Sequence, residues 1–248
     1  MLRGRWLGRV RYRDAAALQR GLFDNSADDH LLLLEHPHVF TLGARGTTEH
    51  LRCDPDEVGA ELVHTDRGGD ITYHGPGQLV GYPILTLDRP GAMADTVAYV
   101  RSVEQLLIDA LAEIGLTDVG RLDDYPGVWV GPDSADPRKI AAIGVRLTRG
   151  RTMHGFALNV EPDLAWFDRI VPCGIEDKAV TSVRAEGSSA TMREIVDVVW
   201  RLAAARWGAD GAERTDLAWR QRPDDLAAFT RDRGLGEAPA AASGSVRL

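Results

Sequence analysis

Cysteine is scarce in this 248-residue sequence: Cys53 and Cys173 are all it has. Two thiols make no disulfide framework, and a reducing compartment inside the cell is expected. With His36, His38 and His50 they form no ligand pair of the Cys-x-x-Cys or His-x-x-x-His kind, so no metal is expected. Long apolar runs are also missing; none approaches the roughly 20 residues that span a bilayer. The opening Met1-Leu2-Arg3-Gly4-Arg5-Trp6 has no signal-like stretch, which places the protein in the cytoplasm, away from membranes. Positive charge is in deficit, and a formal net charge of −8 argues against a general nucleic-acid binder. Lysine is the most informative shortage. Of 29 basic residues only Lys139 and Lys178 are lysine. Arginine keeps its proton at any working pH, whereas a lysine can be tuned to lose it and act as a base. Both lysines are therefore candidates for chemistry.

What is abundant is glycine in one place. Arg67-Gly68-Gly69-Asp70-Ile71-Thr72-Tyr73-His74-Gly75-Pro76-Gly77-Gln78 holds four glycines and a proline. Glycines at this density let the backbone turn and approach another molecule closely. Ile71–Tyr73 reads as a short strand between two turns, and the apolar run Leu79–Leu85 as a buried strand after it. Arg67, Tyr73 and His74 bring a fixed cation, an amphipathic ring and a group that titrates near neutrality. The plain alternative is a hairpin loop that happens to carry polar residues.

The rest of the chain reads as alternating strands and helices. Residues 3–13 read as a strand whose arginines, Arg3, Arg5, Arg9, Arg11 and Arg13, form either a solvated face or a docking strip. Asp14 is expected to cap a helix over Ala15–Leu22, and Thr96–Gly115 has apolar residues at helical spacing. Gly127–Val130 and Lys139–Leu147 read as a hairpin, with Lys139 opening its second strand. Met153–Val160 reads as a strand and Leu164–Ile170 as helical. Cys173 then falls between proline and glycine, in a turn where a nucleophile can be approached. A helix is expected over Met192–Arg206 and a weaker one over Thr215–Phe229. A seam is placed near 186–191, which gives a catalytic domain over 1–190, a helical C-terminal subdomain over 191–236 and a flexible tail over 237–248.

Four stretches occur in a telling order: Arg67-Gly68-Gly69 through Gln78, Lys139-Ile140-Ala141-Ala142-Ile143-Gly144, His154-Gly155-Phe156-Ala157-Leu158-Asn159, and Pro172-Cys173-Gly174. Over residues 5–200 the sequence closely resembles the octanoyl-(acyl-carrier-protein):protein octanoyltransferases of lipoate biosynthesis, also called lipoate–protein ligase B. That resemblance implies an α/β (α+β) fold, a mixed β-sheet flanked by helices like the catalytic domain of biotin and lipoate ligases. It implies an octanoyl-acyl carrier protein as donor. The acceptors it implies are lipoyl domains of 2-oxoacid dehydrogenases and the glycine cleavage H protein. It implies a monomer that needs no cofactor. The family's acylated cysteine maps onto Cys173 and its partner lysine onto Lys139. The acyl-binding stretches map onto Arg67, Gly68, Gly69, Asp70, Ile71, Thr72, Tyr73 and His74, onto Ala142, Ile143 and Gly144, and onto Gly155, Phe156 and Ala157. The long Pro132–Pro137 turn and Lys178 depart from the family pattern, and Lys178 competes for the base role.

The implied chemistry agrees with the residues. A free thiol has a pKa of about 8.5, so only a few per cent is thiolate at neutral pH and a base beside it is useful. Backbone N–H groups at Gly68-Gly69 or at Cys173-Gly174 are candidates to hold the oxyanion. Two rivals stand beside this reading: an ATP-dependent lipoate or biotin ligase, and a thioesterase or amidase that pairs Cys173 with His154.

Overall fold

Four successive leucines show how the sheet is built. In the computed structural model, which describes residues 1–87, 95–171 and 178–217, Leu31–Leu34 lie in strand β2 (Asp29–Glu35). Neighbouring side chains of a strand point to opposite faces. Leu31 and Leu33 enter one hydrophobic core, Leu32 and Leu34 another. A strand buried on both sides therefore reads as a continuous apolar run rather than an alternation.

The elements follow as β1 (Leu2–Arg9), α1 (Tyr12–Asn25), β2, β3 (Val39–Leu42), β4 (Glu61–His64), β5 (Ile71–His74), β6 (Gln78–Ile84), α2 (Thr96–Glu113), β7 (Val119–Leu122), β8 (Tyr125–Val130), β9 (Arg138–Thr148), β10 (Arg151–Asn159), β11 (Ala179–Val180), α3 (Met192–Trp207) and β12 (Ala212–Arg214). Among the described residues they form two sheets. The larger runs β12-β1-β2-β6-β10-β9-β8-β7, parallel over its first three strands and antiparallel from β2 onward. The two-residue β11 pairs with β9 beside Arg138 and Lys139. The smaller sheet is β4-β3-β5. This is the mixed sheet flanked by helices that the sequence leads one to expect.

Helices α2 and α3 cover one face of the large sheet with Val103, Leu106, Leu107, Ile195, Val196 and Val199. Helix α1 covers part of the other with Ala15 and Phe23. Because α3 shares the core of α2, the boundary expected near residue 190 falls inside one hydrophobic core. The helix expected over 215–229 lies almost wholly outside the described residues, as does the tail.

Capping explains where the helices start. Asp95 accepts from Val97 N (2.8 Å) and Ala98 N (3.1 Å) at the head of α2. Thr191 and Glu194 form a reciprocal capping box at the head of α3. Helix α1 differs from expectation: it begins at Tyr12, with Asp14 inside its first turn and no side-chain cap at Arg11. Burial of Tyr12 fixes this start in place of a cap. Leu164–Arg169 is a 3-10 turn capped by Asp163 (3.1 Å) rather than an α-helix. Three of the five arginines in the strip have acidic partners, Arg3 with Asp28 and Glu213, Arg9 with Glu35 and Arg13 with Glu61, which fits the solvated-face reading. No described helix is long and apolar enough to cross a membrane.

Candidate active site

Strands β9 and β10 pair Gly144 with Gly155 and Ala142 with Ala157. Side chains this small leave the α1-facing side of the sheet low at its centre, and a narrow cleft lies there. Its empty space, mouth included, is about 490 Å³. Val80 and Tyr82 of β6 flank the cleft and Ile143 and Phe156 border it. Tyr12 of α1, Thr72 and His74 of β5, and the Arg67–Gly69 loop cover it. The glycines are needed for close approach. A Cβ on Gly155 would sit 2.2 Å from the Gly81 carbonyl oxygen, and one on Gly144 3.0 Å from that of Gly68.

The covering loop is clamped from both sides. Gly68 N donates to Val145 O (2.9 Å), while Ala44 N and Arg45 N donate to Arg67 O (2.9 Å) and Gly69 O (3.1 Å). Arg67, 7% exposed, donates through Nη2 to the carbonyl and hydroxyl of Thr41 (2.7 and 2.9 Å) and through Nη1 to Gly68 O (3.1 Å). It is a buried cation that sets the loop and raises the potential in the cleft. Gly68 N–H is already bonded, so it drops out as an oxyanion donor.

Burial keeps the nearby imidazoles neutral. His36 is pushed down to about 4 by burial, and His74 to about 3 by burial, the neighbouring His36 and the Arg67 charge. His36 Nδ1 faces the Val10 carbonyl (2.6 Å), which can only accept, so that nitrogen carries the proton and Nε2 accepts from Tyr82 OH (2.7 Å). The Gln78 amide nitrogen donates to Asn159 Oδ1 (2.9 Å) and Tyr73 O (3.3 Å), which leaves Gln78 Oε1 to accept from His74 Nδ1 (2.7 Å). His154 falls to about 4 through burial and the charges of Arg67, Arg146 and Arg20. Its contact with Asp66 (2.7 Å) opposes this weakly, because that carboxylate is already shared with Arg20 and Arg146.

Beyond one end of the cleft the same face of the sheet is polar. Val128 and Val130 of β8 face the α2–α3 core, and so do the successive residues Ile140 and Ala141, because β9 is bulged there. Trp129 and Lys139 consequently face the other way, on the side of the sheet that carries Ala142 and Gly144. Lys139 Nζ stands 4.8 Å from the centre of the Trp129 ring. Gln78 and Asn159 continue the same face. Asn159 Nδ2 donates to Thr181 O and Thr181 N to Lys139 O, both at 2.9 Å. The apolar groove thus runs toward a network of amide groups and an amine.

The structure brings together eleven of the residues mapped onto the acyl site: Arg67, Gly68, Gly69, Thr72, His74, Ala142, Ile143, Gly144, Gly155, Phe156 and Ala157. Asp70, Ile71 and Tyr73 stand apart. Strand alternation turns Ile71 and Tyr73 to the opposite face of β5, into a cluster with Phe40, Leu42 and Ile170, where Tyr73 OH meets His38 (2.8 Å). Asp70 holds His50 (2.5 Å) and the N–H of Ile71 (2.7 Å). Cys173 lies outside the described residues. Lys178 lines a different hollow, with Arg52, Phe167 and Asp168. Tyr12, Val80 and Tyr82 belong to the cleft although the sequence reading gives them no part in it. The alternation of Val80 and Tyr82 in β6 could have signalled them; nothing local marks Tyr12.

A mixed sheet with a narrow groove over its central strands defines the class: a catalytic domain of the lipoate–protein ligase kind. A putative lipoate protein ligase from Thermoplasma acidophilum, solved with bound lipoic acid, superposes with a TM-score of 0.70 at 17% identity, over 88% of this chain and 90% of that one. Lipoate-protein ligase A bound with ATP gives 0.68 at 19% identity, over 88% and 90%. An octanoyltransferase from Salinispora tropica is 50% identical over 200 residues, 78% of this chain and 90% of that protein. The family model of the lipoyl protein ligase A/B catalytic domain matches residues 11–202. The chain belongs to that family and, within it, groups with the octanoyltransferases, which are acyltransferases.

Proposed function

We propose that the protein moves an octanoyl group from octanoyl-acyl carrier protein, through a thioester on Cys173, to a lysine of a lipoyl domain, and does so in the cytoplasm as a monomer. The observation that carries this reading is an apolar groove sharing one face of β9 with Lys139. Neutral Lys139 takes the Cys173 proton, and the thiolate attacks the carbonyl carbon of the donor thioester. The new S–acyl bond forms, the bond to the pantetheine sulfur breaks, and the Lys139 ammonium returns its proton to the departing thiolate. The lipoyl lysine, as free amine, then attacks the acyl-enzyme. An amide forms, and the proton lost from the amine restores the Cys173 thiol through Lys139. General acid–base help of this kind is worth about 10²–10⁴ in rate. Each methylene buried in the groove adds about 0.8 kcal/mol of grip.

Chain connectivity supports the pairing. Val171, two residues before Cys173, is anchored by N–H donation to His50 O (2.8 Å), and Val180, seven residues after it, pairs with Lys139. Lys178 lines a separate hollow, which favours Lys139 as the base. His154 opposes Val145, on the far side of the Gly144–Gly155 pair from Lys139, which disfavours a Cys173–His154 hydrolase.

The test is the intact mass of the protein after mixing with octanoyl-acyl carrier protein, then with a lipoyl domain. One octanoyl group should appear on wild type and on Cys53→Ala, be absent from Cys173→Ala, and pass to the domain. Lys139→Ala should slow its appearance at least about 100-fold. Acylation that survives Cys173→Ala would overturn the proposal.

A further inference from the structure

The groove has a wall at the end away from Lys139, and a second hollow lies behind that wall. Two residues, Tyr12 and His154, line both spaces. Tyr12 is packed against His36 and His74, with ring centres 5.2 and 6.2 Å apart, and belongs to the core. His154 is placed differently. Its backbone is left-handed (φ 58°), a conformation rare for a side chain of this size. Its N–H is held by the buried Gln19 (2.9 Å), and its ring hangs by Nε2 on Asp66 (2.7 Å). The unusual turn and the hydrogen bond to Asp66 set the imidazole across the end of the groove. Behind it, Ala16, Val63 and Met153 border the second hollow together with Arg20 and Asp66.

From Ala142 to Val145, which His154 opposes, is three steps of β9, about 10 Å at a strand's rise. That is the reach of a medium-length acyl tail whose carbonyl lies toward Lys139. We propose that His154, hung on Asp66, is the end wall that limits how long an acyl chain the groove accepts. This rests on the groove holding the acyl tail, as in the function proposed above. Removing the ring joins the two spaces, and carbons beyond the octanoyl length then gain a path lined by Ala16, Val63 and Met153.

The test uses the full chain with His154→Gly and His154→Asn, both tolerant of the left-handed backbone. Each protein is offered equal amounts of octanoyl-, decanoyl- and dodecanoyl-acyl carrier protein, and the acyl-enzyme is read by intact mass. A buried methylene is worth about fourfold in binding, so the dodecanoyl-to-octanoyl ratio should rise at least about tenfold over wild type. Adding Ala16→Leu to His154→Gly refills the hollow and should pull the ratio back. If both variants fail to fold, Asp66→Ala frees the ring without removing it, and should raise the ratio at least about threefold. Folded variants that take up acyl groups at the wild-type ratio overturn the wall. Absence of any acyl-enzyme, wild type included, strikes the proposed function instead.

Discussion

Ala142→Leu tests whether the groove holds the acyl chain. Ala142 stands on the groove floor opposite Ala157, beside the Gly144–Gly155 pair. The substitution adds three carbons to that floor. They occupy space that about three methylenes of a bound chain would fill. At about 0.8 kcal/mol per methylene the loss is roughly 2.4 kcal/mol, or about 50-fold in kcat/KM with an octanoyl donor. A butanoyl donor has only two methylenes to lose and should drop no more than about 15-fold. The added carbons enter empty space rather than packed core, so thermal stability should stay within about 1 kcal/mol of wild type.

The comparison between donors makes the result decisive. Equal losses for the two chain lengths would mean that the larger side chain disturbs the chemistry and not the tail. No loss for either would mean that the chain lies elsewhere. Gly144→Ala is a poorer probe, because its Cβ would press at 3.0 Å on the Gly68 carbonyl and at 3.1 Å on Arg67 Cδ and so shift the covering loop.

Other consequences concern stability. His36 and His74 are held neutral at about 4 and about 3 when folded, against 6.5 when exposed, so the unfolded chain takes up protons first as the pH falls. Their stabilisation is complete above about pH 6.5 and shrinks as the pH drops toward the folded values. Urea unfolding at pH 5.5 should therefore give at least about 2.5 kcal/mol less stability than at pH 7.5, with His154 adding to the loss, and an equal midpoint at the two pH values would refute the assignment. Glu104, its carboxylate 1% exposed, accepts from Arg101 and Arg121 (both 2.9 Å) and from Gly127 N (3.1 Å), which ties α2 to β8 behind Trp129. Glu104→Ala should lose about 3 kcal/mol in the same assay, and a loss below about 1 kcal/mol would show that water replaces those bonds.

The sheet was legible because its strands carry unmistakable patterns. The run Leu31–Leu34 fits a doubly buried strand best, and Val103, Leu107 and Leu111 recur at the spacing of a helix face. The groove residues came from the family resemblance; why they form a groove is seen in the strand pairing, where small residues of two neighbouring strands oppose one another and leave a hollow that glycine-rich backbone covers. What escaped depends on pairings that no local pattern encodes. Tyr73 sits in the glycine-rich stretch beside His74, yet alternation sends the two to opposite faces of β5. Tyr12 enters the groove through the packing of α1, and the helix therefore starts before the acid expected to cap it. The bulge at Ile140 turns Lys139 onto the groove side, and an unbulged strand would bury it with Ile143.

The proposed donor sets the chemistry apart from that of an ATP-dependent ligase. A ligase that activates a free acid with ATP must hold a nucleotide, whereas a thioester donor arrives already activated. What such a donor needs is a nucleophile that can exchange acyl groups and a base that can lose and regain a proton. In a chain with 27 arginines and two lysines, an amine at Lys139 is the group that arginine could not replace in that role. The fold alone does not choose the donor. In the proposed mechanism the choice rests with Lys139 and Cys173, so Lys139→Arg, which keeps charge and length but cannot give up a proton, should be nearly as inactive as Lys139→Ala in acyl-enzyme formation. Recovery of more than about a tenth of wild-type rate in Lys139→Arg would mean that the amine serves only as a charge.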